Sequence, residues 1–356
     1  MPHLFQPLRL REVEFSNRIF VSPMCQYSCH DGLANEWHLV HLGSRAVAGP
    51  ALVMAEATAV TADARISPKD LGLWSEAHIE PLRRVFAFIQ QRGAVPGIQL
   101  AHAGRKASTS EPWKGSKPVA PSDGGWRPIF APSALPFAEG HIVPEALTTA
   151  QITAVTGAFA AAAMRAHTAG ARLVEIHAAH GYLLHTFLSP LSNHRTDAYG
   201  GSFVNRARML CEVVTAIRKV WPEGNPLSVR ISATDWIEGG WTIEDSIALV
   251  HMLNPLGVDL VDCSSGGLLP GAKIPVGPGY QAPLAQRIRQ ETGVPTVAVG
   301  MITGAAQADH VIRTGQADAI MMAREFLRDP YWPLHAAHIL GHEVNWPVQY
   351  ERARPK

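Results

Sequence analysis

The sequence predicts an α/β protein built as a single (β/α)8 TIM barrel spanning residues 1–356, with an extended loop after its third strand. Three observations predict it. Short apolar, β-branched runs recur at 18–21, 51–56, 95–100, 173–176, 227–231, 259–263, 295–299 and 319–322. A helical pattern follows each run, at about 36–48, 78–92, 148–169, 205–220, 244–256, 280–291, 304–314 and 332–340. No Gly-x-Gly-x-x-Gly follows the first run, which argues against a doubly wound open sheet. With 356 residues and 47% hydrophobic content, the chain can bury a large core. Helix-start chemistry supports three boundaries: Thr148 before an alanine-rich run, Thr242 with Glu244 and Asp245, and Thr303-Gly304.

Reactive side chains of such a barrel belong at the C-terminal ends of its strands, and the sequence puts them there. The first strand runs into Ser22-Pro23-Met24-Cys25-Gln26-Tyr27, and the second ends in Glu56-Ala57-Thr58. The third carries Gln99 and then His102-Ala103-Gly104-Arg105-Lys106. The stretch 103–147 that follows, rich in Pro, Gly, Ser and Trp, is long for a compact domain. It reads as a lid, with Trp113 and Trp126 as lid aromatics, or as a surface excursion in which they are packing anchors.

The fourth strand, Leu173-Val174-Glu175-Ile176, delivers His177, His180 and Tyr182. Imidazoles donate hydrogen bonds to an oxygen gaining negative charge, and a phenol can release a proton, a set suited to a carbonyl compound being reduced or enolised. The alternatives are ordinary polar residues at a strand end, or a His-x-x-His metal pair; no third ligand lies nearby in sequence, so no metal is expected. Arg230 lies within the fifth strand, where a buried guanidinium needs a counter-charge. The sixth strand ends in Cys263-Ser264-Ser265-Gly266-Gly267. Gly300 after the seventh strand and Ala323-Arg324 after the eighth suit a phosphate held by backbone N–H groups and an arginine.

These segments carry a resemblance. Ser22-Pro23-Met24-Cys25-Gln26-Tyr27, Gly97-Ile98-Gln99-Leu100-Ala101-His102-Ala103-Gly104-Arg105-Lys106, Glu175-Ile176-His177-Ala178-Ala179-His180-Gly181-Tyr182-Leu183, Phe187-Leu188-Ser189-Pro190-Leu191-Ser192-Asn193-His194-Arg195 and Gln349-Tyr350-Glu351-Arg352 resemble the Old Yellow Enzymes. The class is the bacterial thermophilic-like or xenobiotic-reductase branch of these FMN-dependent ene-reductases. The resemblance implies FMN across the barrel mouth, its ring against Ser22, Pro23, Met24, Cys25, Ala57, Gln99 and Arg230, its phosphate on Gly300, Ala323 and Arg324. It implies reduction by NADPH (or NADH), then hydride transfer to the β carbon of an α,β-unsaturated carbonyl (or nitro) compound. His177 and His180 would hold the substrate oxygen, Tyr182 would protonate the α carbon, and Tyr27 would add a hydrogen bond. Cys25, a weaker donor than a hydroxyl, would tune the flavin. Arg352 would reach the neighbouring subunit's site, making the protein a homodimer or homotetramer. A non-catalytic or differently specialised FMN-binding barrel is the alternative.

One departure stands out. Ala323 occupies a position where the family has glycine, and would be strained there if φ were positive. Composition excludes other classes. The net charge is +1 without blocks of like charge, so neither nucleic acid nor a membrane surface is an expected partner. Four scattered cysteines do not form a disulfide framework, and the first residues lack a signal-peptide pattern. A cytoplasmic location is the expectation.

Overall fold

The computed structural model describes residues 3–355; Met1, Pro2 and Lys356, at the ends of the expected domain, lie outside the described residues. A hairpin of β1 (Leu8–Leu10) and β2 (Val13–Phe15) follows a single helical turn at His3–Phe5. Then β3 (Ile19–Val21), α1 (Glu36–Val47), β4 (Leu52–Ala59), α2 (Ile79–Gln91) and β5 (Val95–Ala101) follow. After a short parallel pair, β6 (Phe130–Ala131) and β7 (Glu145–Ala146), come α3 (Thr149–Ala169), β8 (Leu173–Ala178), α4 (Leu183–Leu188) and α5 (Phe203–Arg218). The remainder alternates β9 (Leu227–Ser232), α6 (Ile243–Leu253), β10 (Leu260–Ser264), α7 (Ala282–Thr292), β11 (Thr296–Val299), α8 (Ala305–Arg313) and β12 (Ala319–Met322). Two helices, α9 (Arg324–Arg328) and α10 (Trp332–Ile339), end the sequence of elements, followed by a single turn at Glu351–Ala353.

Eight strands close a parallel barrel in the order β10-β11-β12-β3-β4-β5-β8-β9, the eight runs expected from the sequence. Local chemistry explains the boundaries. The Thr148 hydroxyl accepts from Gln151 N at 3.2 Å while Gln151 Oε1 accepts from Thr148 N at 2.8 Å, a reciprocal cap on α3. Thr242 and Asp245 cap α6 in the same way. The Thr303-Gly304 start differs: Gly304 is the cap and offers no side chain, and Gln307 instead reaches back to accept from Thr303 N at 3.1 Å.

Between strands and helices lies one continuous apolar layer that includes Phe86, Phe159, Leu210, Val213, Leu249 and Ile288. Burying each such side chain stabilises by about 1.5–3 kcal/mol. A second cluster fills the N-terminal end of the barrel: Leu10, Val13 and Phe15 from the hairpin meet Phe20, Leu52, Leu173, Leu260 and Ala319 near the strand starts. The sequence does not predict the hairpin, because its two-residue turn, Arg11-Glu12, lacks the Asn-Gly type of signal. Arg11 nevertheless adopts φ +51°, and its guanidinium donates to Asp259 at 2.6 Å and to the Glu223 carbonyl at 2.9 Å.

The excursion at 103–147 carries single helical turns at Pro112–Lys114 and Pro121–Asp123 as well as β6 and β7. The two tryptophans part company. Trp126 donates to the Asp63 carbonyl at 3.1 Å beneath the Arg65 guanidinium, a packing anchor. Trp113 is exposed and meets the Tyr27 ring edge-on at 5.6 Å. Among the described residues, no helix is long and apolar enough to cross a membrane.

Candidate active site

A bulge in β4 builds one wall of the site. The β4–β5 register shifts between Ala55 and Ala57, releasing Glu56 from strand pairing. Its buried carboxylate accepts from the Gln26 backbone N–H at 2.8 Å and lies 3.1 Å from His38 Nε2. His38 Nδ1 accepts from Asn35 N, so a neutral His38 carries its proton on Nε2, toward Glu56. Glu56 thereby fixes the segment of Cys25 and Tyr27, whose backbone turns through φ +49° at Tyr27. Burial first, then the Asp70 and Glu56 charges, push the Cys25 thiol well above its usual range, so it faces the site as a thiol. Burial raises the Tyr27 phenol as well.

The throat of the barrel is polar. Gln99 Nε2 donates to Glu175 Oε1 at 2.7 Å, and the Ser228 hydroxyl to Glu175 Oε2 at 3.1 Å. Arg230 Nε lies 3.1 Å from Asp262 Oδ2, and Arg230 Nη1 donates weakly to Ser22 Oγ at 3.4 Å. Two carboxylates and one guanidinium would leave a net negative charge if fully ionised. Burial and the Asp262 charge instead push Glu175 up to about 8, against the opposing pull of Arg230. Burial raises Asp262 too. The Arg230–Asp262 contact is off hydrogen-bond alignment, which leaves Arg230 Nε and both Asp262 oxygens buried without a hydrogen-bond partner. The Arg230 cation beneath the mouth suits a ring edge that bears acceptors and develops negative charge. Sequence reasoning does not find Glu175 and Asp262, although a carboxylate inside a run such as Val261-Asp262-Cys263 is itself a signal.

At the end of β8 the expected trio comes together. His177 and His180 meet edge-to-face with ring centres 5.2 Å apart, and Tyr182 lies 4.8 Å from His177 in the same fashion. His177 Nδ1 accepts from Ala179 N at 3.2 Å, so its proton sits on Nε2. His180 has φ +57°; its N–H donates to Ser232 Oγ at 2.9 Å and its Nε2 lies 2.6 Å from Ser264 Oγ. Burial first, then the Arg230 charge, drive both imidazoles well below the usual histidine range, so both are neutral at pH 7. Burial raises Tyr182, keeping its phenol protonated. Packing here is backbone on backbone: a Cβ on Gly181, at φ +74°, would stand 2.4 Å from the Gly267 carbonyl oxygen. Lys106, unassigned by the sequence, ties the wall together by donating to the His180 and Gly267 carbonyls at 2.7 and 2.6 Å.

The other half of the mouth is a cavity of about 200 Å³ lined by Gly300, Met301, Ala323 and Arg324, among others. Gly300 has φ +116°, and a Cβ there would meet Gln281 Nε2 at 2.7 Å, so a side chain is excluded on two counts. Ala323 has φ −107°, outside the left-handed region, so alanine carries no strain in the place of glycine. Arg324 is exposed and makes no hydrogen bond or ion pair among the described residues, a free cation beside a cradle of backbone amides. These features fit a phosphate.

The structure does not bring Arg352 into this cluster. It is exposed on the turn Glu351–Ala353, next to Tyr350, whose hydroxyl lies 3.3 Å from that of Tyr331.

Comparison with known proteins identifies the family. Residues 3–343 match the NADH:flavin oxidoreductase / NADH oxidase family. The chain is 48% identical over 351 residues to an NADPH dehydrogenase of Geobacillus sp. (strain WCH70), covering 98% of both chains. It is 47% identical over 352 residues to an NADPH dehydrogenase of Halalkalibacterium halodurans, again over 98% of each. Among solved structures, morphinone reductase superposes with a TM-score of 0.79 at 27% identity, over 97% of this chain and 91% of that one. A 2-naphthoyl-CoA reductase gives a TM-score of 0.85 at 26% identity over 96% of this chain, which spans only 52% of that larger protein. The Old Yellow Enzyme resemblance holds, and with it FMN as cofactor and NADPH or NADH as reductant. The chain belongs to the NADH:flavin oxidoreductase / NADH oxidase family, as an FMN-dependent oxidoreductase of the Old Yellow Enzyme type.

Proposed function

We propose that the enzyme is an ene-reductase acting on small α,β-unsaturated carbonyl or nitro compounds. The observation that carries this reading is the pair of buried, neutral imidazoles set edge-to-face beside the protonated phenol of Tyr182. FMN, when bound, would supply the hydride chemistry, with NADPH (or NADH) as reductant. Ser22, Pro23, Met24, Cys25, Ala57, Gln99 and Arg230 would surround its ring, and Gly300, Ala323 and Arg324 its phosphate.

His177 and His180 donate to the substrate oxygen and stabilise the charge that grows there, as in an oxyanion hole. Neutral imidazoles suit this role, because each keeps its single proton as a hydrogen-bond donor and does not transfer it. Tyr182 gives its proton to the α carbon, and the buried surroundings that raise its pKa keep it loaded until then. Tyr27 donates a further hydrogen bond to the substrate oxygen. Arg352, exposed on the tail, belongs to the site of a second copy of the chain in a homo-oligomer. Trp113, edge-on to Tyr27, makes the 103–147 excursion part of the entrance.

The test is the visible spectrum of the yellow holoenzyme under anaerobic conditions. NADPH is expected to bleach it and 2-cyclohexenone to restore the colour. Bleaching with no recovery for any enone or nitroalkene tried would discard the ene-reductase reading while keeping the flavoenzyme.

A further inference from the structure

His180 holds one proton on two ring nitrogens, and which nitrogen carries it decides whether the ring donates to a substrate oxygen or repels it. Its Nε2 lies 2.6 Å from Ser264 Oγ. Ser264 is the last residue of β10 and is buried. Its hydroxyl proton has two acceptors to choose from: His180 Nε2, or Gln281 Oε1 at 3.5 Å. The second is at the outer limit of a hydrogen bond. That oxygen's short bond is with Ser265 Oγ, which donates to it at 2.6 Å. Gln281 cannot turn to offer a better geometry, since its Nε2 donates to the Val299 carbonyl at 2.9 Å. The Ser264 hydroxyl therefore donates to His180 Nε2, which must accept with a lone pair. The imidazole proton is left on Nδ1.

His177 is the mirror case. There a backbone N–H, which can only donate, occupies Nδ1 and leaves the proton on Nε2. Two neighbouring neutral imidazoles are thus set to opposite tautomers by two local donors, Ala179 N and Ser264 Oγ, and each keeps its N–H on the nitrogen that the protein leaves free. The anchoring of His180 is rigid at both ends: its backbone N–H rests on Ser232, the strand neighbour of Ser264 in the β9–β10 pairing, and Lys106 holds its carbonyl.

We propose that Ser264 is a positioning residue, whose hydroxyl locks His180 as the Nδ1–H tautomer so that both imidazoles donate to the same substrate oxygen. The oxygen-holding role rests on the ene-reductase reading; the tautomer itself does not.

The experiment uses the FMN-loaded enzyme labelled with 15N-histidine, with the His180 signals assigned by comparison with His180→Gln. In the wild type, Nδ1 is expected at the shift of a protonated ring nitrogen and Nε2 at that of a hydrogen-bonded acceptor. In Ser264→Ala the Nε2–H form should become populated, and kcat/KM for 2-cyclohexenone should fall about 10–100-fold, at or below the loss expected for one oxyanion donor. Ser264→Thr, which keeps the hydroxyl, should restore both, so poor folding of the alanine variant would not mimic the result. A wild-type His180 protonated on Nε2 would overturn the proposal, as would an alanine variant with an unchanged tautomer. An enzyme that turns over no enone at all would sink the ene-reductase reading, while the nitrogen shifts still decide the tautomer.

Discussion

The two ends of the barrel are built from opposite materials. At the N-terminal end the β1–β2 hairpin drives Leu10, Val13 and Phe15 into an apolar plug, with the Arg11–Asp259 ion pair beside it. At the C-terminal end the same eight strands finish in imidazoles, phenols, carboxylates and a guanidinium, several of them buried without full hydrogen bonding. Tyr27, His180 and Met301 there adopt left-handed backbone conformations that cost energy in non-glycine residues, against Arg11 in the hairpin at the other end. Stability is gathered at one end and chemistry at the other, which lets the reactive end carry strain.

That division is sharpest where a change at one end should leave the other untouched. The largest effect is expected for Tyr182→Phe, which removes the proposed proton donor. In single-turnover reoxidation by an enone the rate should fall about 10²–10⁴-fold, with the melting temperature almost unmoved; a variant that reoxidises at the wild-type rate would assign the proton to another group. Phe15→Ala should do the reverse. Hollowing the plug should cost about 3–5 kcal/mol in denaturant unfolding, with kcat/KM preserved where the protein is folded. A comparable loss of activity would mean that the plug transmits strain to the mouth.

Glu175→Gln tests the boundary between the two materials and is expected to have the smallest effect. The native carboxyl keeps its proton up to about 8, whereas in the unfolded chain it is lost near the usual 4.5. Between those values the native state binds more protons, so this group makes stability fall as pH rises. Two other contributions have the opposite sign. His177 and His180, held neutral when folded, favour higher pH only up to their ordinary value of 6.5. Lys106, pushed down to about 7, favours higher pH from there to 10.5. Subtracting the Glu175→Gln unfolding curve from the wild type between pH 6.5 and 8 should isolate the falling slope. A flat difference would mean that Glu175 is already ionised in the folded protein.

The strands and the reactive residues are legible in the sequence for the same reason. Buried parallel strands read as apolar runs, and the barrel rule then places whatever polar residues end them on one face. His177, His180, Tyr182, Gln99 and Arg230 all fall there. Their supports are not legible, because Glu175, Asp262, Ser232 and Ser264 act through pairings between strands far apart in the chain. The short helices α4 and α9 escape prediction because five or six residues show no periodicity to read. Arg352 stands out by its motif alone, and among the described residues it makes no hydrogen bond or ion pair.

The plug at the base also governs traffic. With its floor sealed by Phe15 and its neighbours, the barrel is a vessel with one doorway, and nothing can enter or drain from beneath. The nicotinamide and the molecule to be reduced must come and go by the same opening, one after the other. An excess of either should therefore obstruct the other.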